Sequence, residues 1–287
     1  MVSLDLPLYQ PQKTWNGQFA IAHSFGSFNF NMQRAIAMYF MPDRIRAQYW
    51  HLHHHAQRRM ERWKSWARSN APLYCPICGW RGMSFLRPAA DMVCPVCESR
   101  PRHRTLKLVL DELGIPQRGG RVLHVSPKGE EWLGKLWRKE SRHYLSIDKG
   151  GVWNSFQFGG AMKAMDLRNL AFHDASFDFI CCNHVLENIT EDQVAINEIY
   201  RVLAPGGHAA LIVQMYPGNT VRVESPSQED YFHAWHPGQD YFDRYRQAGF
   251  HVDIYDTQHY DRLRHGLSVS IRVPICSKPS LPMQETS

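Results

Sequence analysis

The chain has 287 residues, 44% of them hydrophobic and 21% charged, with a formal charge of +6. This is ordinary globular composition, enough for one full-sized core with smaller attachments, and no stretch is apolar for long enough to span a bilayer. The start Met1-Val2-Ser3-Leu4-Asp5-Leu6-Pro7 lacks the pattern of a signal peptide, and seven cysteines suit a reducing compartment, so a cytoplasmic protein without membrane contact is expected.

Residues 1–30, rich in Gln, Asn, Phe and Gly without a sustained period, read as an irregular arm. From Met32 to Ser69 the composition is helical, broken at Met41-Pro42-Asp43, where Pro42 disfavours helix before it and Asp43 can cap a new one. Between Arg34 and Arg68 stand eight basic residues against Asp43 and Glu61, which reads first as a solvated helix face and second as a site for phosphate-bearing partners. His51 and His55 share a helix face with His53 and His54 nearby, but without an adjacent acid they read as polar surface. Trp50, Trp63 and Trp66 are expected to pack this helix onto the rest of the protein.

Next come two knuckles, Cys75-Pro76-Ile77-Cys78 and Cys94-Pro95-Val96-Cys97, with fifteen residues between them. Each places two thiolates in one tight turn, and the loop is short enough to bring all four onto one metal. Four soft thiolates suit zinc, although the same knuckle also holds iron. With Cys75, Cys78, Cys94 and Cys97 all ligating, no position stays open for substrate, so the metal is expected to be structural. A second basic run follows, Arg100-Pro101-Arg102-His103-Arg104 with Lys107. Thr105–Gly114 then spaces its apolar residues as a helix ending at Gly114.

After Gly119-Gly120 strands and helices alternate. Strands are expected at 121–125, 143–148, 177–183, 208–215, 251–255 and 267–273, and helices at 129–139, 191–203 and 239–248. Such alternation argues a parallel sheet wrapped by helices, with the last two strands forming an edge hairpin. Ligands of such sheets bind beyond the carboxyl ends of the strands. Those ends carry His124-Val125-Ser126-Pro127-Lys128-Gly129, Asp148, Asp166-Leu167 and Asn183-His184. Cys181 and Cys182 lie in an apolar run and read as packing.

In order along the chain, Ser176-Phe177-Asp178-Phe179-Ile180, Asn183-His184-Val185-Leu186-Glu187 and Tyr200-Arg201-Val202-Leu203-Ala204-Pro205-Gly206-Gly207 closely resemble class I S-adenosylmethionine-dependent methyltransferases. The resemblance is to the type 11 group that carries an N-terminal four-cysteine module, and it covers residues 72–256. It implies a Rossmann-like, doubly wound, mainly parallel seven-stranded sheet with an antiparallel edge hairpin. It also implies that His124, Val125, Ser126 and Gly129 line the methionine end of the cofactor. Asp148 would bind the ribose, Asp166 and Leu167 the adenine, and Asn183 with His184 the other face. The loop 124–129 keeps one glycine where the general family has a Gly-x-Gly turn.

Four regions follow: an arm and basic helical segment (1–70), a zinc module (71–104), a catalytic domain (105–276) with a lid at 217–238, and a disordered tail (277–287). Methyl transfer asks mainly for alignment, and an oxygen or nitrogen acceptor also needs a base near neutral pH. His233 and His236 in the lid are the candidate bases, with His184 next. The leading reading is transfer to a small-molecule or sugar-containing metabolite. An RNA methyltransferase and a non-catalytic binding protein are the alternatives, and monomer or homodimer stays open.

Overall fold

A computed structural model describes residues 56–68, 70–86, 92–127, 130–150, 162–227, 232–269 and 271–280, all within a compact unit that begins at His55. The arm, the basic stretch before residue 56, Trp50, the histidines at 51–55, Lys128, Gly129, Tyr231 and residues 281–287 lie outside the described residues.

Helix α1 spans 56–66. Its tryptophans do not pack inward as expected: Trp63 is 75% exposed and Trp66 91%. The helix is held instead by Ser65, whose Oγ accepts from the Arg81 amide at 2.7 Å, and by Arg62, 5.9 Å from the Trp132 ring centroid. Strands β1 (Leu73–Tyr74) and β2 (Arg81–Gly82) pair antiparallel across the first knuckle. The two knuckles repeat one hydrogen-bond pattern. Gly79 N donates to Cys75 O and Cys75 N to Trp80 O, just as Glu98 N donates to Cys94 O and Cys94 N to Ser99 O. The turn needs positive φ, met by Gly79 (75°) and, less comfortably, by Glu98 (58°).

Helix α2 (Pro101–Leu113) starts four residues before the expected Thr105, because Pro101 fits a first helical turn. It ends at Gly114 in the left-handed conformation. Then follow β3 (Arg121–Val125), α3 (Glu131–Glu140), β4 (His143–Asp148), β5 (Lys163–Ala164), β6 (Phe177–Asn183), α4 (Asp192–Val202) and β7 (Leu203–Ile212). A small hairpin, β8 (Val221–Arg222) with β9 (Trp235–His236), occupies the lid and precedes α5 (Phe242–Gln247). The chain closes with β10 (His251–Asp256), α6 (Arg262–His265) and β11 (Arg272–Ser277).

Seven of these strands form one sheet in the order β10-β11-β7-β6-β3-β4-β5. The five from β5 to β7 run parallel, while β11 and β10 are antiparallel at the edge, as the sequence pattern predicts. Strand residues alternate between two cores. Val122, Phe179, Cys181 and Ala210 meet Leu106, Val109 and Trp137 of α2 and α3. Leu123, Ile180, Cys182 and Leu211 meet Ile196, Ile199, Phe242 and Tyr245 of α4 and α5. The chain steps from β3 to β4 and β5 on one side, then crosses back to β6 on the other. That reversal opens a crevice at the carboxyl ends of β3 and β6.

The last strand begins at Arg272, not at Leu267. Residues 262–265 form the short α6, which stops at Gly266 in the left-handed region and delays the strand. The start of the tail is placed: Lys278 N donates to Gly207 O, and its Nζ to the carbonyls of Tyr200 and Leu203 at 2.8 Å.

Candidate active site

A cavity of about 300 Å³ lies beyond the carboxyl ends of β3, β4 and β5 and is closed by the turn after β6. Val125, Ser126, Asp148, Asp166 and Leu167 line it. Its apolar walls come from Ile147, Met165, Val185 and Ile189. Asp148 is buried at the end of β4, where its Oδ2 accepts from Ser126 Oγ at 2.7 Å and its Oδ1 from Gly150 N at 2.8 Å. Asp166 stands at the rim. The side chain and backbone amide of Arg168 hold its carboxyl down at about 2. Arg168 also reaches Glu191 at 2.7 Å, bridging the two sides of the rim.

His124 does not line this cavity. Strand alternation turns it to the opposite face of β3 from Val125, where it is fully buried. There its Nε2 lies 2.6 Å from Glu130 Oε2 and its Nδ1 2.9 Å from Tyr144 Oη. Asn183 joins the same network, its Nδ2 donating to Glu130 Oε1, and is likewise turned away from the cavity. Burial by itself raises the Glu130 carboxyl, but His124, His103 and Asn183 together hold it below the ordinary value.

A second cavity, about 240 Å³, opens beyond β7 and is lined by His184. The two cavities are one residue apart on the turn after β6, since Val185 faces the first and His184 the second. His184 Nδ1 lies 2.9 Å from Oε1 of the fully buried Glu187, which also accepts from the Gln214 amide at 3.1 Å. With Nδ1 so engaged, Nε2 is the nitrogen left for the cavity. His184 holds φ of 55°, the conformation that orders this turn. The lid braces the dyad from behind, Ala234 N donating to Glu187 O.

The other two candidate bases lie apart from both cavities. His233 is buried, its Nδ1 3.1 Å from Tyr216 Oη, and His236 stacks on the Tyr216 ring at 4.2 Å. They hold the lid strand to Tyr216. The spacing of Glu187, one helical turn after His184, is the signal that identifies the dyad. Glu130 carries only the weaker one of an acid just after the first strand's turn.

The four knuckle cysteines come together, with Cys75 and Cys97 Sγ 3.6 Å apart, Cys78 and Cys94 Sγ 3.6 Å apart, and all four sulfurs within 4.8 Å. A tetrahedral zinc site with Zn–S of about 2.3 Å places its sulfurs about 3.8 Å apart, so the cage has the right size. Burial opposes ionisation of Cys75, yet hydrogen bonds from Cys78, Cys94, Cys97 and Ser99 pull it well below the usual thiol value. Arg104 is fully buried beside the cluster and 4.4 Å above the Phe85 ring. It donates to the carbonyls of Met92, His265 and Gly266 at 2.6 to 2.7 Å. A cation beside four thiolates offsets the charge that a zinc–tetrathiolate centre carries.

Residues 148–211, from the end of β4 through most of β7, match the family model described as a methyltransferase domain. A malonyl-[acyl-carrier protein] O-methyltransferase of Erwinia billingiae is 28% identical over 83 residues, or 28% of this chain; the match spans a third (33%) of that relative's length. Among solved structures, an S-adenosylmethionine-dependent methyltransferase from Mesorhizobium loti is 14% identical. It aligns over 60% of this chain and 97% of its own, with a TM-score of 0.46. The 1,6-didemethyltoxoflavin N1-methyltransferase of Burkholderia thailandensis is 15% identical over 60% of this chain and 76% of its own, with a TM-score of 0.45.

Proposed function

We propose that this chain, which carries a class I methyltransferase domain, moves a methyl group from S-adenosylmethionine to an oxygen or nitrogen of a small molecule. One observation carries the reading: two adjoining cavities at the sheet's switch point, one with strand-end carboxylates between apolar walls and the other facing a His–Glu dyad. In the first, Asp148 would accept from the ribose hydroxyls and Asp166 with Leu167 would meet the adenine between apolar walls. Val125 and Ser126 would border the methionine end. When bound, the sulfonium supplies an already activated methyl group. The protein's task is then to orient the acceptor and exclude water. His184 takes the role of base rather than His233 or His236, because it lines the second cavity and has the Glu187 carboxylate behind it, whereas the other two pack on Tyr216. Glu187 fixes the ring through Nδ1, so Nε2 faces the acceptor and can receive its proton. The four-cysteine cluster would hold a structural zinc.

Calorimetric titration with S-adenosylmethionine tests the cofactor site, with zinc measured on the same sample. Micromolar binding is expected, weakened by one to two orders of magnitude in Asp148→Asn, the cost of losing charged hydrogen bonds of about 1.5–3 kcal/mol. No binding by the folded protein would sink the reading. The exposed Trp63 and Trp66 favour an RNA acceptor as the second reading, because stacking on such rings binds single strands.

A further inference from the structure

We infer that the acceptor is a small molecule carrying a carboxylate or phosphate, and that Arg100, Arg102 and Arg272 hold this anion beside His184. The inference rests on the reading of the second cavity as the acceptor site, and it names the acceptor's chemical class.

Among the described residues, the lining of that cavity includes three arginines and His184 but no acid. The arginines come from distant parts of the chain. Arg100 and Arg102 flank Pro101 at the start of α2, whereas Arg272 opens β11. The fold brings them together because the cysteine module hands the chain directly to α2, while α6 delays β11 until its first residue faces α2. The first turn of α2 contains no acidic residue, so the positive end of the helix adds to the guanidinium charge.

Charge separates the two cavities. The first presents Asp148, Asp166 and Glu191 with Lys149 and Arg168, a mixed field with acids at the strand ends. The described lining of the second presents Arg100, Arg102, Arg272 and His184. Guanidinium groups bind carboxylate and phosphate in a planar, two-pronged fashion, and several at one site favour an anion over a neutral ligand. The remaining walls, Ile212, Val213, Met215 and Ile271, are apolar and suit the organic body that bears the anion. At about 240 Å³ the space matches a metabolite rather than a polymer.

The test titrates inorganic phosphate and malonate into protein saturated with S-adenosylhomocysteine. It compares the wild type with Arg102→Gln, Arg272→Gln and, as a control at the opposite end of the sheet, Arg118→Gln. At least one anion should bind the wild type and the control equally and lose tenfold or more in affinity in Arg272→Gln and Arg102→Gln. S-adenosylhomocysteine affinity should be the same in all four proteins. Arg272 is exposed, so its substitution leaves the fold intact and decides the matter if Arg102→Gln does not fold. Anion binding that is absent, or indifferent to Arg272, overturns the inference while bound S-adenosylhomocysteine leaves the methyl-transfer reading standing. If S-adenosylhomocysteine does not bind but the anion does so through Arg272, the methyl-transfer reading fails and the anion site survives. Arg272-dependent binding of a short RNA at 150 mM salt, with neither small anion bound, overturns the small-molecule acceptor in favour of RNA.

Discussion

His103 sits at the back of the buried network, where desolvation pushes its pKa down to about 3 against the pull of Glu130. In the unfolded chain a histidine titrates near 6.5, so between those values only the unfolded chain binds the proton. Stability is therefore complete above about pH 6.5 and drains as the pH falls towards 3. The loss amounts to about 2 kcal/mol by pH 5, at about 1.4 kcal/mol per unit. Urea unfolding at pH 7 and pH 5 should show a drop in the wild type that is smaller by about that amount in His103→Gln. Equal drops in both proteins would mean that His103 is not held neutral. At this scale the strand-end acids were legible, since Asp148 and Asp166 follow apolar runs and the crevice rule places them. His124 was not, although the physics was available. Neighbours on one strand face opposite ways, so His124 and Val125 cannot both line one cavity. The roles of His233 and His236 hinged on the conformation of a lid that no periodicity describes.

The elements of the sheet were legible as apolar runs, but their ends were set by contacts that the sequence does not announce. Gly206-Gly207 taken alone reads as a helix-ending turn, yet both residues lie within β7, which begins at Leu203. Gly207 explains why the pair is glycine. A Cβ there would stand 2.8 Å from Ala204 O and 3.0 Å from Asp178 O, backbone atoms with no room to retreat. The close approach coincides with the irregular register between β6 and β7 at Phe177 and Phe179. Gly207→Ala should therefore destabilise the protein by about 1–3 kcal/mol, in the range of overpacked cores. It should do so despite the lower chain entropy that alanine brings to the unfolded state. Chemical denaturation measures this directly, and a neutral or stabilised variant would show that the two strands can separate at little cost. The short α6 escaped sequence reading because four residues carry no period, and its presence moved β11 by five positions.

On the scale of the molecule, the gathering of the four cysteines and the sheet that follows them were legible from knuckle spacing and from the alternation of strands and helices. What joins them was not, because Arg104 reaches His265 and Gly266 across more than 160 positions. The same side chain abuts the cysteine cluster, and Arg100 follows Cys97 by only three residues. The module, the start of α2 and the approach to β11 thus share one buried guanidinium. If the module holds zinc, the metal fixes the walls of the second cavity although it stands outside the chemistry. The first cavity is lined from β3, β4, β5 and the turn after β6, and its lining includes neither Arg100, Arg104 nor a cysteine of the module. Removing the metal with a strong chelator, or substituting Cys97→Ser, should lower the melting temperature and weaken phosphate or malonate binding at least tenfold. S-adenosylhomocysteine affinity should change by less than about threefold, since none of these groups lines its cavity. Loss of both ligands in parallel would mean that the module supports the whole domain, whereas loss of neither would remove it from the acceptor site. The selective outcome would explain why a module with no open ligand position is built into this chain: it holds the two arginines of α2 facing the third.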